Sequence, residues 1–157
     1  MSSKIQFNLQ HSLPDHLEMI YTSILDFKSF GEIHPFMKEV TLLNDNHSEY
    51  KEYKVVEEIY FLGLIKNHPT YTVQVLELEK NKHIRYTSPV KKFIFLSVDI
   101  RFSKNKNGSL LVTETFEITS NKIVGMVFAG ILKKAHLQFF KNLRSLLHTA
   151  IEDINPN

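Results

Sequence analysis

The residue with the clearest chemical argument behind it is Glu114. Along Ser109–Thr119, Leu110, Val112, Phe116 and Ile118 fall on one side of an alternating pattern, and Glu114 sits in register among them. A carboxyl group on an apolar face loses its water, which raises its pKa and suits it to donate a proton or anchor a hydrogen bond. A second reading stays open, in which it lies at a sheet rim or pairs with Arg85 or Arg101. His136 stands on the shoulder of a helical apolar stripe, about 60° from its centre on a 3.6-residue period. An imidazole there can act as acid or base near neutrality, or simply bond a carbonyl at an interface. Glu114 and His136 are the catalytic candidates.

Tyr71 shares a strand face with Val73 and Val75, and Tyr86 shares one with Ile84. Each offers a flat apolar wall and one hydroxyl to orient a ligand, or plain core packing. Glu57 and Glu58 occupy opposite faces of one strand, so one of them points inward unless a bulge intervenes, and the pattern does not say which. His34, before Pro35, fits the mouth of an interior space or a local role in the turn.

Much other chemistry is excluded. The chain has no cysteine, which removes disulfide frameworks, thiolate metal sites and cysteine nucleophiles and fits a reducing compartment. His11, His16, His47, His68, His83 and His148 show no metal-ligand spacing, and there is no HExxH or calcium loop. Gly125–Gly130 lacks the serine of a nucleophile elbow, and no phosphate or dinucleotide loop is present, so neither cofactor nor metal is expected. Net charge is +2 from 19 basic and 17 acidic residues. The lysines come in short scattered groups, which reads against nucleic acid as a partner. No apolar leader precedes the first alternating segment, and Ile123–Leu132 is shorter than the ~20 residues a membrane span requires. The expectation is a cytoplasmic protein without a transmembrane segment.

The elements that must position these residues follow from periodicity. Ile5, Phe7 and Leu9 alternate with Gln6, Asn8 and Gln10, which marks a half-buried strand. Ser12, Pro14 and Asp15 read as the start of a helix carrying Leu17, Ile20, Tyr21, Ile24 and Leu25. Gly31 reads as an interruption and Phe30–His34 as a second short helix, closed by Pro35. Strands are expected near Phe36–Leu43, Tyr50–Leu62, Lys66–Glu79, His83–Ser88, Phe93–Ser103 and Ser109–Thr119. Asn44-Asp45-Asn46, Gly63, Lys80-Asn81, Pro89 and Asn107-Gly108 separate them, and such short links demand antiparallel neighbours. From Ile123 to Asp153 no proline occurs, and Phe128, Leu132, Ala135, Phe139, Leu143, Leu146 and Ala150 form one stripe. A helix of about thirty residues is about 45 Å long and must lie across a sheet. The class is α+β, a single domain over residues 1–157, and a sheet curling around one helix leaves a space between them.

This order resembles the helix-grip fold of the START-like, or SRPBCC, superfamily, which includes polyketide cyclase and dehydrase-like families. Phe30-Gly31-Glu32-Ile33-His34-Pro35-Phe36-Met37-Lys38-Glu39-Val40 looks like the segment where the short helix hands over to strand two. Lys82-His83-Ile84-Arg85-Tyr86-Thr87-Ser88 is similar to the strand that follows the fourth. The resemblance implies a curved seven-stranded antiparallel sheet around the terminal helix, with two short helices between strands one and two. It also implies a cavity for one mostly apolar molecule such as a lipid, sterol, quinone or polyketide.

On this frame the cavity is expected to be lined by Phe36, Tyr71, Tyr86, Val98, Glu114 and Phe116 from the sheet side, and by Phe128, Leu132, His136 and Phe139 from the terminal helix. Ile123, Met126 and Val127, flanked by Gly125 and Gly130, read as a lid or portal, a dimer contact, or a site of transient membrane contact. The chain is expected to be a monomer or a homodimer. Three functions fit: binding or transport of a small apolar ligand, a cyclase or dehydratase using a cavity acid or base, and a protein-interaction module.

Overall fold

The computed structural model describes residues 1–46, 49–61 and 65–154. Strand β1 (Ser3–Leu13) leads into helices α1 (Leu17–Leu25) and α2 (Phe27–Ile33), followed by β2 (Met37–Asn44) and β3 (Lys51–Glu57). The short β4 (Ile59–Phe61) and β5 (Ile65–Asn67) come next, then β6 (Thr70–Glu79), β7 (His83–Lys91), β8 (Ile94–Lys104) and β9 (Leu110–Ser120). Helix α3 (Lys122–Ile154) closes the described chain. Seven strands form one antiparallel sheet in the order β1-β9-β8-β7-β6-β3-β2, and β4 pairs with β5 apart from it. The architecture is α+β, with the sheet wrapped around the long C-terminal helix.

Alternation places the core. Leu110, Val112, Glu114, Phe116 and Ile118 of β9 are all buried, while the residues between them are half-buried on the outer face. In β1 the same parity runs through Ile5, Phe7 and Leu9 and continues to His11 and Leu13, the two buried residues of that strand. Asn107-Gly108 makes the β8–β9 turn, with Gly108 at a φ of 83°, where a side chain would be strained.

Several expectations need correction. Ser12 does not cap α1; it belongs to β1 and lies 3.0 Å from the Ser109 hydroxyl. Helix α2 begins at Phe27 rather than Phe30, because the Asp26 side chain accepts from the Lys28 amide and the Ser29 hydroxyl. Gly31 does not interrupt that helix but lets it press against β2. A methyl group added there would overlap the Val40 side chain. Gly31→Ala is therefore expected to cost about 1–3 kcal/mol of overpacking, read as a lower urea midpoint at unchanged slope.

The expected strand Tyr50–Leu62 ends at Glu57 and restarts at Ile59. Lys66–Glu79 breaks likewise between Asn67 and Thr70, where Pro69 has no N–H to donate. The two strands thereby give up β4 and β5, which fold away as a separate hairpin. The Glu57 N–H bonds the Pro69 carbonyl at 3.0 Å and the Glu58 N–H bonds the Phe36 carbonyl at 2.8 Å, so the breaks leave these donors paired. The expected turn at Gly63, the end of a strand at Leu62, and part of the sequon at Asn46 lie outside the described residues. Pro89 is not a turn; it lies inside β7, past the last residue that β7 pairs with β6, where no donor is needed.

Helix α3 buries a wider face than one stripe. Phe139 stacks on Phe30 of α2 at 4.2 Å between centroids, and its neighbour Phe140 stacks on His11 of β1 at 3.6 Å. Two adjacent ridges are thus covered, so Leu147 is buried and Leu146, assigned to the stripe by periodicity, is 53% exposed. By length and mean hydropathy α3 would reach across a membrane, yet its Ala135, His136, Phe139, Phe140, Leu143 and Leu147 are buried against the sheet and α2. It is the core helix of this fold.

Candidate functional site

The space between sheet and helix is filled at one end and open at the other. Toward α1 and α2, Phe27, Phe30, Phe116, Phe139 and Phe140 are buried and fill most of the space. Toward the start of α3 a cavity of about 330 Å³ opens between Ile123–Ala135, the β7–β8 ends, the β4–β5 hairpin and the segment His34–Phe36. A smaller pocket of about 50 Å³ continues beneath it. The two share His34, Glu57, Tyr71, Leu96 and Leu132. Near the mouth the walls are mostly apolar (Ile94, Ile123, Val127, Phe128, Ile131), with Asn67 and Lys91 among them; the shared wall adds His34, Glu57 and Tyr71, and the inner pocket His136.

Those polar groups form three arrangements. Glu57 points inward and accepts a hydrogen bond from the Tyr71 hydroxyl at 2.6 Å. Glu58 turns outward to Lys66 at 3.0 Å, which resolves the choice that the strand pattern left open. Burial raises the pKa of Glu57, against the opposing pull of the Tyr71 bond and of His136. Burial, reinforced by the Glu57 charge, also keeps Tyr71 protonated well above the usual range.

His34 is buried at the end of α2, where its Nδ1 accepts from the Phe36 and Met37 amides at 3.2 and 3.3 Å. That fixes a neutral ring with its proton on Nε2, and His34 lines both the cavity and the inner pocket. Burial first, then the nearby His136 ring, push its pKa down to about 3.

The third arrangement lies one layer deeper. Glu114, with no exposed surface, receives His136 Nδ1 on one oxygen at 2.7 Å and His11 Nε2 on the other at 2.9 Å. Burial alone would raise its pKa. The His136 charge and the bonds from both rings outweigh that and hold it below the usual range. Its partners are therefore these two histidines rather than Arg85 or Arg101. His136 lines the inner pocket. With Nδ1 spent on Glu114, Nε2 is its nitrogen available to a ligand.

The expected cavity residues divide accordingly. Phe36, Tyr71, Phe128 and Leu132 line the outer cavity, and Tyr71, Tyr86, Val98, Leu132 and His136 line the inner pocket. Glu114, Phe116 and Phe139 line neither and stand behind the wall. The Tyr86 hydroxyl donates to the Ile24 carbonyl, so Tyr86 presents only its ring. Of the expected lid, Ile123 and Val127 line the mouth while Met126 turns to solvent, 61% exposed. His11 has no metal-ligand spacing to mark it in the sequence. Its signal was the strand parity it shares with Phe7 and Leu9.

This is the START-like helix-grip fold, a curved antiparallel sheet wrapped around a long C-terminal helix. No protein-family model and no curated protein matches the sequence. Among solved structures it is similar to the di-domain ARO/CYC StfQ of the steffimycin biosynthetic pathway, at 10% identity and a TM-score of 0.75. The match covers 90% of this chain and 50% of that one, so the chain spans half the length of the di-domain protein. It is also similar to Ara h 8.0201 at 10% identity, TM-score 0.71, over 94% of this chain and 99% of that one. A START superfamily protein from Mycobacterium smegmatis matches at 10% identity and TM-score 0.66, over 94% and 98%. Identities this low establish the shared fold alone.

Proposed function

We propose that residues 1–157 act as one cytoplasmic domain that binds or carries a small, mostly apolar molecule, enclosed between sheet and helix with its polar end inward. The observation that supports this reading is a cavity with mostly apolar walls that shares His34, Glu57 and Tyr71 with an inner pocket holding His136. Burying about 300 Å² of ligand surface at about 25 cal/mol per Å² supplies about 7 kcal/mol before the costs of association. The inner groups then set which end goes in first.

A fluorescence titration with the neutral apolar dye N-phenylnaphthylamine tests it. The expected result is saturable enhancement at one site. Leu132→Trp, which fills the junction between cavity and pocket, is expected to abolish it while the fold survives. Unsaturable or absent enhancement counts against the reading. Tyr71→Phe removes the donor to buried Glu57, an expected loss of about 1–3 kcal/mol. That loss should appear in stability and in affinity for hydroxylated ligands, with dye binding little changed.

The His136–Glu114 pair favours a second reading, an enzyme of the cyclase or dehydratase kind. A carboxylate that holds Nδ1 orients the ring so that Nε2 can move a proton on an enclosed substrate. In that case His136→Gln abolishes turnover and leaves ligand affinity nearly intact; turnover that survives the change excludes His136 as the base.

A further inference from the structure

The cavity mouth carries a surface that ligand enclosure does not require. Ile123 is 77% exposed, Met126 61% and Val127 56%, all in the first two turns of α3. Across the opening, Phe93 at the β7–β8 turn is 76% exposed. Val90, Lys91, Ile94 and Val124 line both the cavity and a shallow groove beside it that includes Lys92 and Phe93, so these side chains form one continuous patch.

Charge around this patch has one sign. Neither segment 80–98, which carries Lys91 and Lys92, nor segment 118–151, which carries Lys122 beside Ile123, contains an aspartate or glutamate. On the hairpin side, the carboxylate of Glu58 is held by Lys66. Lys92 keeps its ammonium 5.6 Å from the Phe93 ring centre, so cation and ring project together.

From this we infer that the cavity mouth docks on an anionic lipid bilayer, with Phe93, Ile123 and Val127 entering the headgroup layer and Lys91, Lys92 and Lys122 meeting lipid phosphates. Apolar side chains at the tips of a turn and a helix end, ringed by lysines, suit the interface between water and acyl chains. A protein partner on this patch would seal the opening. A bilayer instead presents to it an apolar phase like the cavity wall, and a ligand can pass between the two without crossing water.

The inference goes beyond the ligand reading and is measured with protein and lipid alone. Co-sedimentation is compared for phosphatidylcholine vesicles and for vesicles in which part of that lipid is replaced by phosphatidylglycerol. The expected result is binding to the anionic vesicles only, weakening as salt is raised. Phe93→Ser with Ile123→Ser is expected to lose about tenfold in partitioning. Lys91→Glu with Lys92→Glu is expected to abolish the preference for anionic lipid. All four positions lie on the surface, and unchanged circular dichroism confirms that these variants fold. Equal binding to both vesicle types, or no binding to either, overturns the inference. So does a dimer in sedimentation equilibrium that depends on Phe93 and leaves vesicles untouched, because a second copy of the chain is then the occupant.

Discussion

His34→Asn is expected to flatten the acid limb of the stability curve. An unfolded histidine takes up its proton near pH 6.5, whereas folded His34 resists protonation until about pH 3. Its folded pKa is depressed, so its contribution is complete above pH 6.5 and is lost as pH falls toward 3. At about 1.4 kcal/mol per unit the loss is of order 5 kcal/mol. Asparagine keeps an oxygen able to accept from the Phe36 and Met37 amides but does not titrate. Urea unfolding at a series of pH values separates the two proteins, the difference opening below pH 6.5, growing through the window down to 4.5 and continuing toward pH 3. Below that window Glu114 adds a loss of the same sign, because its folded pKa is lowered. Glu57 acts in the opposite sense, because its folded pKa is raised. Parallel acid limbs for wild type and variant would show that His34 is not held neutral by its surroundings.

The second large effect concerns the carboxylate between two rings. Glu114→Ala leaves His11 and His136 buried without their shared acceptor and opens a cavity, an expected loss of about 3–5 kcal/mol in urea unfolding. Glu114→Gln keeps the volume and one acceptor and is expected to recover about half. The informative variant replaces all three, with Glu114→Met, His11→Leu and His136→Leu. Removing a buried ionic group together with its partners is often neutral or stabilising, so this triple variant is expected to match or exceed wild-type stability. In that event the three residues are not needed for folding, and their place beside the cavity is the remaining reason for them. A triple variant as unstable as Glu114→Ala would make them structural.

Much of this was legible in the sequence because it depends on local period. The alternation in β1 and β9, the Asn107-Gly108 turn and the proline-free terminal helix sufficed for the order of elements, and parity alone put Glu114 on the inner face. The misread boundaries had local causes. Pro69 was a visible obstacle to a continuous strand, and Asp26 was a usable cap; both signals were outweighed by the apolar runs around them. The Glu57–Glu58 choice turns on a break at Glu58 that neither residue type announces. The bonds from His11 and His136 to Glu114 join residues 103 and 22 positions apart. The first depends on the register of β1 against β9, and the second on how α3 is rotated over the sheet, with Phe139 and Phe140 stacked on separate ring partners in α2 and β1. No spacing rule within one element contains that information.

The central claim is that the unfilled end of the core is there to hold a molecule. Native mass spectrometry of protein purified from its own host, without organic solvent, tests this most directly. The account predicts a second species heavier by one small molecule, released on denaturation and missing from Leu132→Trp prepared in parallel. A single mass equal to the bare chain in independent preparations, unchanged after incubation with total lipid extract, would contradict it.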